Sequence, residues 1–220
     1  MSIQQNLLKI KSTLPASVRL VAVSKTKPIS ALEEAYSAGQ RIFGENKALE
    51  MAEKYRQLPK DIEWHFIGHL QSNKVKYIAP FVHLIHAVDS LKIVKEINKQ
   101  ALKNERIIDC LLQFHIAREE TKFGFNFEEA LALLESEDFQ KLKNIRITGV
   151  MGMATNTDNR DQIHREFALL KHYFEKIKAN YLTENYFKEI SMGMSADYPI
   201  AIQEGSSLIR VGSSIFGLRK

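Results

Sequence analysis

The sequence predicts an α/β fold: a single parallel (β/α)8 barrel spanning residues 1–220, with one extra helix before the first strand. Three observations carry this. Eight short runs rich in β-branched and aromatic residues alternate with segments of helical periodicity, the pattern of βα units on a parallel sheet. Eight is the strand number that closes such a barrel, although 220 residues make a tight version of an architecture that typically takes about 250. With only 10 Gly and 5 Pro, no linker divides the chain, and it reads as one domain. An open doubly wound sheet has the same element order and is the alternative.

A helix over 4–14 leads into the first strand at 19–23. Further strand runs follow at 41–43, 62–66, 81–85, 107–113, 145–150, 186–190 and 207–211. Helical segments lie between them at 31–38, 47–57, 90–103, 127–135 and 162–178. In the last, Ile163, Phe167, Leu170, Phe174 and Ile177 fall on one stripe at alternating spacings of four and three, as a helix facing a core requires.

Composition sets the class. Hydrophobic content of 45% and charged content of 26% exclude disorder as the main state. The single Cys110, in an apolar run, cannot form an internal disulfide. It reads as a buried thiol in a reducing cytoplasm. The first six residues are polar and no long apolar window follows, so neither a signal peptide nor a membrane span is expected. Net charge is +5, from 31 basic and 26 acidic residues spread along the chain. That reads as a solvated surface rather than a nucleic-acid footprint, which clusters on one face. A nucleic-acid binder would show steep salt dependence.

In either parallel architecture, chemistry belongs at the carboxyl ends of the strands. Glycines gather there, at Gly44, Gly68, Gly149, Gly152, Gly193 and Gly212. Lys25 follows the first strand on the same face as Val21 and Val23. Shielding behind two valines favours the neutral amine, which attacks aldehydes. Arg210 stands inside the apolar strand Leu208-Ile209-Arg210-Val211 and must find partners there. Gly212-Ser213-Ser214 then turns into a helical segment, a cradle suited to phosphate. The seventh strand ends in Ser191-Met192-Gly193-Met194-Ser195-Ala196-Asp197. Ser191 would point at the same phosphate, with Ser195 as a helix N-cap and Asp197 in the first turn. The triplets Met151-Gly152-Met153 and Met192-Gly193-Met194 each follow a strand and offer soft contacts to a flat ring. An imine-forming lysine, an arginine for a ring nitrogen, a phosphate cradle and soft ring contacts fit one ligand economically: pyridoxal 5′-phosphate (PLP).

These stretches resemble the pyridoxal phosphate homeostasis proteins, themselves similar to the N-terminal barrel of bacterial alanine racemases. The resemblance rests on Val21-Ala22-Val23-Ser24-Lys25-Thr26-Lys27-Pro28, Phe43-Gly44-Glu45-Asn46 and the run from Trp64 to Lys74. It continues through Gly149 to Thr155, Ser191 to Ser195 and Ile209 to Gly217. It implies a barrel that holds PLP as a Schiff base on Lys25, with Arg210 at the pyridine nitrogen. It places Ser191, Gly212 and Ser213 at the phosphate and Asn46 beside the ring; Met151 is a further ring contact. Ser213 stands where many relatives carry Thr, and Lys47 where an aromatic is common. Lys122 lies in the stretch where the racemases have an arginine.

The resemblance also implies a carrier and buffer in vitamin B6 and amino-acid homeostasis rather than a strong catalyst. An arginine leaves the ring nitrogen unprotonated and the ring a weaker electron sink. Racemisation needs an acid/base group on each face of the substrate, and the racemases take one from a second domain that is not expected here, because the sequence ends at Lys220. The alternative is a weak PLP-dependent racemase or lyase. A monomer making transient contacts with apo-enzymes that need PLP is expected. His65 with His69, and His83 with His86, do not share a helix face or a nearby carboxylate or thiol set, so no metal site is expected. Glu45 reads as the start of a helix and Lys74 as a rim lysine that could receive the cofactor.

Overall fold

In the computed structural model, residues 2–119 and 123–217 are described. Eight parallel strands close into one barrel in chain order, with β8 returning to β1. The strands are β1 Arg19–Val23, β2 Ile42–Glu45, β3 Glu63–Phe66, β4 Leu84–Val88, β5 Ile108–Phe114, β6 Ile145–Gly152, β7 Glu189–Ser191 and β8 Leu208–Val211. Closure removes the open-sheet alternative. The helices are α1 Ile3–Lys11, α2 Ile29–Ser37, α3 Ala48–Gln57, α4 Ser72–Ile78, α5 Leu91–Lys103, α6 Phe127–Glu135, α7 Glu137–Gln140, α8 Arg160–Asn180, α9 Tyr198–Gln203 and α10 Ser213–Phe216. Among the described residues no helix is long and apolar enough to cross a membrane.

Strand alternation produces two cores. Outward-facing residues such as Ala22, Phe43, Trp64 and Ile209 pack beneath the helices. Inward-facing Val21, Leu84, Leu111, Met151 and Leu208 fill the barrel itself, as the layered interior of this architecture demands. Cys110 is buried in the outer core, and burial pushes its thiol up, so it behaves as a small hydrophobe. The N-terminal helix begins with a capping box between Ser2 and Gln5. Its Asn6 side chain donates to the carbonyl of Ile215 at 3.0 Å, tying α1 to α10.

Two strands start three residues later than their apolar runs suggest. Phe81 and Val82 close α4 instead, their N–H groups donating to the Ile78 carbonyl at 3.1 and 2.8 Å. The shift places His86 inside β4 rather than beside it. Phe187 precedes β7 and stacks on Phe174 of α8 at 4.9 Å; its apolar character serves the helix layer. Strand β7 is only three residues long and lies against Gly149, where an added Cβ would fall 1.9 Å from the Glu189 carbonyl oxygen.

Candidate functional site

A cavity of about 620 Å³ opens at the C-terminal ends of the strands. Lys25, Asn46, Arg210, Gly212 and Ser213 all line it, so five of the residues singled out in the sequence meet in one place. Two others do not reach it. Met151 is buried in the barrel layer below. Ser191 is fully buried beneath Arg210, so its hydroxyl does not face the cavity as the sequence suggests. The methionine triplets divide the same way at each strand end: Met151 and Met192 are core residues, while Met153 and Met194 line the cavity.

The backbone on both sides of Lys25 is pinned from below. The Ser24 hydroxyl donates to Glu45 Oε1 at 2.6 Å. Lys54 of α3 donates to the Ser24 carbonyl at 2.8 Å and to Glu45 Oε1 at 2.7 Å. It also reaches Glu50 at 2.7 Å, whose Oε1 accepts the Thr26 N–H at 2.6 Å. Thr26 sits at φ +64°, a left-handed conformation that a non-glycine residue holds only when its surroundings fix it. Glu45 therefore ends β2 as a buried carboxylate and does not start a helix. Burial pushes its carboxyl up, and the Lys54 ammonium acts against that. Lys25 itself is half-buried, at the cavity wall.

Arg210 is 4% exposed. It donates from Nη1 to Ser191 Oγ at 2.6 Å and from Nη2 to the Gly152 carbonyl at 3.0 Å. Burial draws the guanidinium down to about 10, opposed by the Asp197 carboxylate, so it remains a cation at neutral pH. Below it a polar thread enters the barrel. Ser191 Oγ is 2.8 Å from His86 Nδ1, and His86 Nε2 is 2.9 Å from His65 Nδ1. Burial, aided by neighbouring positive charge, holds both imidazoles well below their ordinary range, so they are neutral.

The two loops expected to form a cradle do meet, with different roles. Ser195 is not an N-cap; Asp197 holds that position before α9, and its carboxylate accepts the Met194 N–H. The Ser195 hydroxyl instead accepts the Gly212 N–H at 3.3 Å, joining the loops after β7 and β8. Ser213 opens α10, so its N–H has no acceptor within that helix. Gly193, at φ +93°, would bring a Cβ to 2.6 Å from Ala201; no other residue fits there. Asn46 presents a buried Oδ1 without a hydrogen-bond partner at the cavity wall.

Lys27 and Ile67 also line the cavity and were not singled out as site residues, and Ser195, expected as a helix cap, lines it too. Lys27 lies two residues beyond Lys25 in the same quoted stretch, and its ammonium donates to the Phe216 and Gly217 carbonyls at 3.1 Å each. Lys74 sits on α4 beside a neighbouring depression that shares Asn46 with the main cavity. His69 is on the rim, 3.1 Å from Asp89. Lys122 lies outside the described residues.

The whole chain, residues 1–220, matches the family model "Alanine racemase, N-terminal domain". It is similar to the pyridoxal phosphate homeostasis protein of Haemophilus influenzae, at 37% identity over all of this chain and 97% of that one. The protein of the same name from Aquifex aeolicus is 36% identical, over 92% of this chain and 87% of its own. Among solved structures, PipY of Synechococcus elongatus with PLP bound superposes with a TM-score of 0.89 at 34% identity, over 98% of this chain and 100% of that one. An alanine racemase from Bartonella henselae shares the fold, with a TM-score of 0.73 at 15% identity over 98% of this chain and 58% of its own.

Proposed function

Because this chain belongs to the alanine racemase N-terminal-domain family and, within it, to the pyridoxal phosphate homeostasis proteins, we propose that it binds PLP in the C-terminal cavity through Lys25 and acts as a carrier and buffer of that cofactor. The observation that carries the reading is the convergence of Lys25, Arg210 and the Gly212–Ser213 turn on one cavity. The residues fit the group. Lys25 supplies the amine for the aldehyde carbon. The Ser213 N–H and hydroxyl, with Ser195, suit the phosphate. The unpartnered Asn46 Oδ1 would accept from a hydroxyl on the ring. When bound, PLP supplies a reactive aldehyde and an electron-withdrawing ring. PipY, similar along its whole length, has been solved with PLP bound.

The chain's own residues favour holding over turnover. Arg210 has only donors to offer, two already committed to Ser191 and Gly152. Its remaining N–H groups suit a ring nitrogen that accepts, which keeps that nitrogen unprotonated and the ring a poor sink for a carbanion. Among the described residues that line the cavity there is no Asp, Glu, His, Cys or Tyr, so any acid/base work would fall to its lysines. Delivery to apo-enzymes then needs only a transient encounter, with the chain acting as a monomer. Lys27 on the same wall favours one second reading, a slow racemase or lyase using two amines as proton relay. Incubation of the PLP-loaded chain with single amino-acid enantiomers in heavy water separates the two. The carrier reading expects negligible deuterium at Cα, and rapid exchange, lost in Lys27→Met, would establish the enzyme.

A further inference from the structure

At the opposite, N-terminal end of the barrel three metal-ligating side chains converge. Glu63 and His65 stand two apart on β3, and so on one face. His83 immediately precedes β4, which pairs with β3 through His65 and Leu84. One ligand atom from each of the three lies within 4.8 Å of the other two. His83 Nε2 is 3.4 Å from a Glu63 carboxylate oxygen, and the His83 and His65 rings are parallel to within 3° with centroids 5.6 Å apart.

His65 gives this cluster a direction. It is fully buried. Its Nδ1 is taken up by His86, while its Nε2 is buried without a hydrogen-bond partner; His65 and His83 both line a cavity of about 330 Å³. A buried polar atom left unpaired is destabilising and calls for a ligand. We propose that Glu63, His65 and His83 bind a divalent transition-metal ion of the zinc type, a site separate from the PLP cavity.

The chemistry of the set suits that ion. Two imidazoles and a carboxylate are a recurrent three-ligand set for zinc, with water completing the shell. A metal-bound histidine needs its other ring nitrogen held by a hydrogen bond; here His65 Nδ1–H would donate to His86 Nε2, and His86 Nδ1–H to Ser191 Oγ. Both Glu63 and His83 are partly exposed, with side chains 40% and 51% accessible, so they can swing towards the fixed His65 to reach bonding distances near 2.0–2.2 Å. Of the neighbouring cations, Arg19 is matched by Glu189 at 2.6 Å and Arg146 by Asp109 at 2.6 Å, and Lys188, which also lines the cavity, is exposed and can turn its ammonium to solvent.

The site is tested without PLP, so its failure leaves the carrier reading untouched. The untagged chain, stripped with chelator and dialysed, is titrated with zinc ion by calorimetry. One ion per chain is expected, with affinity falling at least about tenfold in His83→Ala and in Glu63→Gln. Circular dichroism of both variants confirms that they are folded, and both changes are at partly exposed side chains. Absence of stoichiometric uptake by the native chain, or equal affinity in both folded variants, would overturn the proposal.

Discussion

At the N-terminal mouth of the barrel two arginines are paired with carboxylates. Arg19 meets Glu189 and Arg146 meets Asp109, each across 2.6 Å, and short contacts between strands hold the ring together. At the C-terminal mouth the arrangement is reversed. The ion pairs have withdrawn below the floor, where Lys54 and Glu45 are buried under Lys25, and the wall presents the unpartnered Asn46 oxygen and the first N–H groups of α10. Charge at the first mouth stabilises the strands it touches; charge at the second holds a reactive side chain in place and leaves its neighbours available to a ligand. A barrel can be given a working end by deciding where its polar groups are satisfied. His65, an orphan at the otherwise matched end, stands out for that reason.

The largest expected effect comes from the floor of the working end. Lys54→Met leaves the Glu45 carboxylate buried without its cation, and loss of about 3–5 kcal/mol is expected in urea denaturation. The turn carrying Lys25 should loosen with it, weakening PLP capture. A loss below about 1 kcal/mol would mean that Glu45 is already protonated and the pair carries no charge.

The thread between the two mouths is next. His65 and His86 are held neutral in the folded, metal-free chain, whereas in the unfolded chain each takes up a proton as pH falls through about 6.5. A depressed folded value means that stability is full above about pH 6.5 and is lost below it, by up to about 1.4 kcal/mol per pH unit for each imidazole. Melting temperature followed from pH 7.5 to pH 5 should fall steadily below 6.5. A flat profile would show that the thread is charged in the native state.

Ser195→Ala removes the hydroxyl that joins the two loops and faces the cavity. One hydrogen bond of about 0.5–1.5 kcal/mol corresponds to roughly a two- to tenfold weaker hold on PLP, with stability little changed. Smallest is Arg146→Gln at the matched mouth. That pair is partly exposed and bidentate, so about 1 kcal/mol of stability is expected to be lost, the upper end for pairs at a surface. PLP binding should be unaffected, and a large drop in PLP affinity would erase the distinction between the two ends.

Much of the fold was legible because each strand pairs locally uniform residues with a helix of clear period; even the five long helices fall within a few residues of their expected bounds. The short helices α4 and α7 were not, since seven and four residues carry too little periodicity to see; α9 and α10, as short, were marked only by the turn residues that precede them. Lys25 and Arg210 were legible as charges where strands demand apolar residues. The support beneath Lys25 was not. Lys54 looks like any solvated lysine on a helix, and only the closed barrel brings it to Ser24, thirty residues earlier. Ser195 took the cavity-facing place expected of Ser191 for a similar reason: the sequence places both near the end of β7, but which hydroxyl faces up depends on where the strand stops. The cluster of Glu63, His65 and His83 was not read from the sequence, which paired His65 with His69 and expected no carboxylate nearby; the three-residue displacement of β4 concealed how His83 comes to lie beside Glu63.

The central claim is that one shielded amine at the end of β1 captures the cofactor. Its direct measurement is borohydride reduction of the chain incubated with PLP, followed by peptide mass spectrometry. The pyridoxyl mass should appear on the peptide containing Lys25 and vanish, with the protein still folded, in Lys25→Ala. A label on Lys27 or Lys74 that persists in that variant, or no label on the native chain, would contradict it.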